Sequence, residues 1–377
     1  MDNKIKVMAF YLPQFHTIPE NDEWWGKGFT DWVNVKKGVK YRKGQEQPRV
    51  PLNNNYYDLT DVKTIRWQSD LVNDYGMYGL CFYHYWFNGK LLLEKPAELL
   101  LENKDINLKF CFSWANEPWS RTWSGNNKQV LISQSYGDKS EWKAHFNYLL
   151  PFFNDGRYIK EDNRPMFLIY RSLSIPCCKE MMEMWEELAK EAGFKGMHFV
   201  ETLRGDEEDK RDLPFKAKVE FEPRRSINPR NYIYITYGRI RRRVLKLTNK
   251  IFGTSFPLEP VIKYEEATKG SLEMLSPVGT YGGVFVGWDN TARRGLASTI
   301  VLPPSKEEFY EYLKKKVKIT KEIYQTDYVF VNAWNEWAEG TYLEPDETHK
   351  FEYLEMIKKI VDSDKKQNFE QYKINNI

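Results

Sequence analysis

Residues 328–345 read YVFVNAWNEWAEGTYLEP, a nearly continuous apolar run (Tyr328–Trp334) that passes directly into Asn335, Glu336, Trp337, Ala338, Glu339 and Gly340. A run this apolar suits a strand buried on both faces, as in a parallel sheet covered by helices. Polar and aromatic groups just past such a strand are what a barrel enzyme carries at its C-terminal face. The pattern recurs upstream at Lys6–Leu12, Gly79–Tyr85, Leu108–Trp114, Met166–Tyr170, Met197–Glu201, Ala217–Phe221 and Gly283–Trp288. Helices are expected between and after these runs, at Thr60–Tyr75, Glu94–Asn103, Lys139–Phe153, Ile175–Ala192, Ser305–Tyr324 and Lys350–Ser363. Several open on Asp, Ser or Thr, as helix starts do. Eight strands alternating with helices predict an α/β fold, a single (β/α)8 TIM barrel with elaborated βα loops. No internal repeat and no Gly/Ser-rich or Pro-rich linker divides the chain. Residues 1–363 are therefore assigned to one barrel with an insertion at 224–260 between strands six and seven, followed by a C-terminal tail at 364–377.

Composition narrows the function. With 41% hydrophobic and 16% aromatic residues, the 377-residue chain has too much to bury for a disordered protein. Its net charge of +3 lacks the cationic excess that a general nucleic-acid binder needs, so nucleic acid is not expected as a partner. The opening MDNKIKVMAFYLPQF is broken by Pro13 and Gln14 and reads as a first strand rather than a leader. No stretch approaches the roughly 18 apolar residues of a membrane span. Of four cysteines, Cys81, Cys111 and the adjacent pair Cys177–Cys178, two lie inside apolar strand-like runs where a thiol behaves as a small hydrophobe, so a reduced, cytoplasmic protein is expected. Phosphate-loop, dinucleotide and His-Glu-x-x-His patterns are absent, and five scattered His make no metal cluster. Neither cofactor nor metal is expected.

The tryptophans point to the substrate. Trp67, Trp142 and Trp185 fall in expected helices and read as packing residues. The other ten, Trp24, Trp25, Trp32, Trp86, Trp114, Trp119, Trp123, Trp288, Trp334 and Trp337, lie at strand ends or in the loops after them. Sugar rings present apolar C–H faces edged by hydroxyls, so aromatic platforms interleaved with polar groups suit an oligo- or polysaccharide. Single-stranded nucleic acid also stacks on aromatics but wants a positive groove beside them, and the charge here is mixed. The candidate substrate-binding residues are accordingly Tyr11, Gln14, His16, Trp32, His84, Tyr85, Trp86, Trp114, Asn116, Glu117, Trp119, Trp123, Trp288, Asp289, Arg293, Asn335 and Trp337. Asp289 and Arg293 fit contacts to hydroxyls or an anionic sugar, or an ordinary loop ion pair. Glu336 and Glu339 are the candidate catalytic residues. Two carboxylates three residues apart beside Trp are desolvated and repel each other, which separates a proton donor from an ionised partner.

Five stretches carry a family resemblance: MAFYLPQFHTIPENDEWWGKGFTDWVNV, FYHYWFNGKLLLEKP, FCFSWANEPWSRTW, GVFVGWDNTARR and NAWNEWAEGTYLEP. Together, from Met8 to Pro345, they resemble the WbsX-type polysaccharide-biosynthesis glycosyltransferases, whose domain is similar to glycoside hydrolase family 99. The resemblance implies a (β/α)8 barrel enzyme, metal-free in its core chemistry. It would cleave or transfer a glycosyl unit in bacterial surface polysaccharide, O-antigen or capsule. It also implies that Glu336 deprotonates the substrate's own 2-hydroxyl for attack on the anomeric carbon, while Glu339 protonates the leaving oxygen. Ala338 stands where the hydrolases would carry His. The alternative is a non-catalytic glycan-binding or assembly protein that keeps the Trp-lined cleft.

Asn116-Glu117-Pro118 also resembles the acid/base signature of retaining barrel glycosidases of the cellulase type. There the acid/base follows the fourth strand, whereas Glu117 follows the third run, so Glu117 is assigned to substrate binding or support.

Between strands six and seven, Arg224 to Lys250 holds nine basic residues and no acidic one, so the net +3 is a body of −6 carrying a +9 insertion. Ile240, Val244, Leu247 and Ile251 recur at helical spacing among Arg239, Arg242, Arg243, Lys246 and Lys250. That is the script of an interfacial helix on an anionic membrane, peripheral at the inner membrane and near a lipid-linked glycan. It is also the script of a solvated helix that packs its apolar stripe on the barrel, and that is the reading preferred from the sequence.

Overall fold

The computed structural model describes residues 4–120, 130–205, 209–227, 232–259 and 261–375, and at 232–237 and 367–375 it describes the helical backbone. Eight parallel strands close into a barrel: β1 (Lys6–Tyr11), β2 (Gly79–Phe87), β3 (Phe110–Trp114), β4 (Arg164–Ile169), β5 (His198–Leu203), β6 (Ala217–Glu220), β7 (Thr280–Phe285) and β8 (Tyr328–Asn332). Each pairs with the next in sequence, and β8 closes on β1 with Lys6 opposite Tyr328 and Ala9 opposite Val331. The (β/α)8 architecture expected from the sequence is therefore the fold.

The longer helices are α1 (Val62–Asp74), α2 (Lys95–Glu102), α3 (Lys139–Phe153), α4 (Cys178–Glu191), α5 (Tyr232–Phe252), α6 (Tyr264–Glu273), α7 (Lys306–Glu322) and α8 (Glu352–Asn375). Local chemistry starts several of them. Asp61 and Asp138 accept from the free N–H groups of the first turns of α1 and α3, and Ser305 and Glu308 form a reciprocal capping box on α7. The last helix runs to Asn375, beyond the Ser363 end expected from periodicity.

Aromatic residues fill the barrel interior. Phe10 of β1 lies 5.4 Å from Phe330 of β8, 5.9 Å from Tyr83 of β2 and 5.2 Å from Phe221 at the end of β6, ring centre to ring centre. A side chain that touches elements on opposite sides of a closed sheet must point inward. Strand seven differs from its expected span of Gly283–Trp288, beginning three residues earlier and ending at Phe285. Gly282 and Gly283 hid it, because glycine weakens a strand signal. They are there for room: a Cβ on Gly283 would sit 2.1 Å from the Glu220 carbonyl oxygen of the neighbouring strand.

The βα loops are elaborated chiefly after β1 and β6. Residues 12–61 include short helices Pro19–Trp25 and Asp31–Lys36, and the β6–β7 connection carries α5 and α6. The apolar stripe of α5 does not pack on the barrel: Ile240, Val244, Leu247 and Ile251 are all exposed. No helix among the described residues is long and apolar enough to cross a membrane.

Candidate active site

At the C-terminal face, β8 gives way to a small hairpin in which Asn335–Glu336 pairs antiparallel with Thr341–Tyr342 around the turn Trp337–Glu339. Three features fix this hairpin. Asn335 accepts from the Leu12 N–H at 2.7 Å and donates to the Leu12 carbonyl at 3.0 Å, clamping it to the end of β1. Trp337 is buried, stacks on Tyr342 with ring centres 3.9 Å apart, and donates its indole N–H to Glu344 at 2.7 Å. Gly340 closes the turn at φ +64, where a side chain would be strained and would strike the Arg49 guanidinium. With Trp337 anchored below, the carboxylates of Glu336 and Glu339 converge on one guanidinium.

That guanidinium belongs to Arg293, on the short helix Thr291–Arg294 after β7. It donates to Glu339 at 2.8 Å and to Asp31 at 2.8 Å, and reaches Glu336 at 3.4 Å. The Arg293 side chain is 5% exposed, Glu336 9% and Glu339 24%, so one buried cation faces three carboxylates with little water to screen them. Burial, then repulsion from Glu339 and Asp31, pushes Glu336 up to about 8 against the pull of Arg293. Burial also raises Glu339, with Arg293 opposing and Asp31 adding to the rise. The two are close enough to titrate as a pair. At neutral pH the arrangement holds a proton that an ordinary carboxylate would have lost.

The carboxylates open onto a cleft of about 550 Å³. Of the residues singled out in the sequence, Tyr85, Glu117, Trp119, Trp288, Arg293, Glu336 and Glu339 line it. Gln14 lines an adjoining pocket of about 170 Å³, whose wall shares Trp119 and Arg293 with the cleft. Glu117 accepts from Arg171 at 2.8 Å and Arg204 at 3.0 Å. Burial pushes Glu117 up, and the two arginines more than offset it, leaving an ionised, paired carboxylate.

The other singled-out residues stand behind the wall. His84 is buried against His145 at 2.8 Å, and Trp86 stacks flat on the same His145. Trp114 donates to the Trp86 carbonyl, and Trp32 to the Tyr57 carbonyl. Asn116 bonds both backbone groups of Arg171. Tyr11 donates to Gln68, and His16 is buried, with burial lowering its pKa. Asp289 holds the Arg293 loop by accepting from the Thr291 N–H, Gln45 and Gln47. Asn335 and Trp337 hold the hairpin as described. Trp123 lies outside the described residues.

Sequence reasoning passed over several wall residues: Asp31, Tyr83, Arg204 and Arg294. Strand alternation was the available signal for Tyr83, which shares an inward face with Tyr85 while His84 and Trp86 point to the helices. Among the described residues, one group of metal-ligand type, Glu46, Asp346 and His349, lies together outside this cleft. Its members already bond one another or neighbouring backbone, His349 to Glu46 at 3.0 Å and Asp346 to the His349 N–H.

Comparison with known proteins fits this geometry. The solved endo-alpha-mannosidase of glycoside hydrolase family 99 from Bacteroides thetaiotaomicron superposes with a TM-score of 0.55 at 14% identity, covering 97% of this chain and 98% of that one. A glycoside hydrolase-like protein gives a TM-score of 0.55 at 11% identity, covering 95% and 94% of the two chains. At such identities the likeness speaks for the fold. The uncharacterized protein WxcX of Xanthomonas campestris pv. campestris is 35% identical over 352 residues, 93% of this chain and 48% of the relative. The chain thus spans about half the length of that relative. Residues 7–357, from the first barrel strand into the last helix, match the family described as Glycosyltransferase WbsX. With barrel, hairpin and cleft all inside that match, the chain belongs to the WbsX glycosyltransferase family.

Proposed function

We propose that this protein cleaves or transfers a glycosyl unit in the assembly of bacterial surface polysaccharide, O-antigen or capsule, using Glu336 and Glu339. The observation that carries the reading is the shared contact of both carboxylates with Arg293 at the edge of a cleft flanked by Trp119 and Trp288. The pair works with one proton between them. Greater burial and the longer contact with Arg293 favour Glu336 as its holder, whereas Glu339, bonded at 2.8 Å, is the ionised partner.

The chemistry then balances within the pair. Glu339 takes the proton of the attacking hydroxyl, whether from water, an acceptor sugar or the substrate's own 2-hydroxyl. The new C–O bond forms as the glycosidic C–O bond breaks, and Glu336 gives its proton to the leaving oxygen. This reverses the roles that the family resemblance implied. A lipid-linked glycan made at the cytoplasmic leaflet is the substrate class we favour.

Separate Glu336→Gln and Glu339→Gln variants test the reading, with turnover of surface-polysaccharide oligosaccharides and glycan binding both measured. A loss of roughly 10²–10⁴ in turnover in each variant is expected from removal of a proton-transfer group. Unchanged turnover in both would sink the catalytic assignment. Glycan binding by a wild type that turns nothing over would favour a non-catalytic assembly protein.

A further inference from the structure

Helix α5 is docked by one side and bare on the other. Gly238, Arg241, Leu245, Thr248 and Asn249 form the half-buried side. Arg241 donates to the Leu258 carbonyl, Arg242 pairs with Glu259, and Asn249 bonds both backbone groups of Phe256. The segment that receives α5 is itself tied to the active-site loop, because the Leu258 N–H donates at 2.8 Å to the carbonyl of Leu296, just beyond Arg293. A load on α5 therefore bears on the loop that carries the cleft arginine.

The opposite side holds Ile240, Val244, Leu247 and Ile251 in one stripe, since steps of four, three and four residues return to the same helix face. Ile240 and Val244 are each 57% exposed, Leu247 59% and Ile251 63%. One position earlier on each turn stand Arg239, Arg243, Lys246 and Lys250, all exposed and without an acidic partner among the described residues. An apolar stripe edged by uncompensated cations calls for a surface that is apolar and anionic at once. A second copy meeting stripe to stripe would set like charges against each other, which disfavours self-association. A bilayer rich in anionic headgroups supplies both terms.

We propose that α5 seats this protein on an anionic membrane surface, with Ile240, Val244, Leu247 and Ile251 in the headgroup–acyl boundary and the four cations on lipid phosphates. The purpose of the contact rests on the glycan reading above: a lipid-borne glycan would be presented to a cleft whose Arg293 loop is bonded to the membrane-seated insertion. The contact itself can be tested without turnover.

The full chain is sedimented with vesicles of phosphatidylcholine, or of phosphatidylcholine mixed equally with phosphatidylglycerol. Partition onto the anionic vesicles is expected to exceed that onto neutral ones roughly tenfold or more. Val244→Ser/Leu247→Ser/Ile251→Ser and, separately, Arg243→Glu/Lys246→Glu should each lower it roughly tenfold with unchanged circular dichroism and melting. A wild type that stays in the supernatant overturns the proposal, as does a serine variant that binds as well as wild type. So does a serine variant that merely converts a dimer to a monomer without vesicle binding in either protein. Full vesicle binding with no turnover would strike the enzymatic reading alone, and turnover of soluble glycan without vesicle binding would strike the membrane proposal alone.

Discussion

Arg293 and Glu339 are joined by a 2.8 Å hydrogen bond that ties the loop after β7 to the turn after β8. The same guanidinium bonds Asp31 and reaches Glu336, so one guanidinium is shared by three carboxylates. Two negative charges would remain if all three ionised. A proton on the Glu336–Glu339 pair halves that excess, so repulsion from Glu339 and Asp31 adds to the burial that chiefly raises Glu336.

This charge deficit sets a pH dependence of stability. Glu336 in the folded protein sits at about 8, above the ~4.3 of an unfolded glutamate, so the folded state holds the extra proton between those values. Stability from this group is then complete below the unfolded value and is lost as pH rises through the folded one. Glu336→Gln cannot ionise and escapes that loss. Its melting temperature relative to wild type should climb between about pH 5 and about pH 8 and then level off. A difference that stays flat over the range would refute the assignment of the proton.

Arg293→Gln tests the other side of the balance. Because Arg293 opposes the rise in both glutamates, its removal raises them further and leaves Asp31 buried beside them without its cation. The high-pH limb of the activity profile should move upward by about 1–3 units, with destabilisation of about 3–5 kcal/mol. Arg293→Lys should recover part of both. An unmoved limb in the Gln variant would show that Arg293 does not govern the pair.

Much of this was legible in the sequence because strands at a barrel core are apolar and loops at its C-terminal face are not. All eight strands and the paired glutamates follow from that contrast. What it could not resolve was depth. Trp32, Trp86, Trp114, Trp334 and Trp337 stand at strand ends or in the loops after them as expected, yet all are buried. Burial on both faces makes Tyr83 and His84 look alike in composition, so only their alternate positions along the strand could separate them. Asp31 was overlooked because its partner, Arg293, lies 262 residues away in sequence, and no local pattern announces such a pair. The spacing of Ile240, Val244, Leu247 and Ile251 revealed a stripe but not which way it faces; only the docked side, fixed by Arg241 and Asn249, decides that.

Glu344 shows how buried residues support the hairpin. Fully buried, it accepts from Trp337 at 2.7 Å, Tyr57 at 2.8 Å and Gln68 at 2.7 Å. Burial lifts it to about 7, and these donors restrain the rise. A Gln in its place exchanges one accepting oxygen for a donor facing donors. Glu344→Gln should cost about 1–3 kcal/mol in chemical denaturation and lower kcat more than it changes KM, because Trp337 loses its anchor between the two glutamates. Equal kcat in the variant would show that the hairpin needs no such anchor.

A different buried charge serves the scaffold. Lys316 on α7 is fully buried and donates to Glu220 at 2.7 Å and to the Ser271 carbonyl at 2.9 Å, fastening the helix to the end of β6. Lys316→Met leaves Glu220 with Arg225 at 3.3 Å as its remaining cation. Destabilisation of about 3–5 kcal/mol is expected, and the double variant Lys316→Met/Glu220→Gln should be less destabilised than the single one. Additive losses in the cycle would mean that the two charges do not depend on each other.

Trp288 offers the most direct probe of the substrate. It is half-buried in the cleft wall on the β7 side, five residues before Arg293. Trp288→Ala removes a stacking surface without touching the carboxylates or their cation. If a glycan ring lies there, KM for an oligosaccharide should rise roughly tenfold, a loss of about 1–1.5 kcal/mol, while kcat and its pH profile hold. A fall in kcat at constant KM would instead place Trp288 in the support of the Arg293 loop, because ground-state binding would then be intact and only the reacting geometry disturbed.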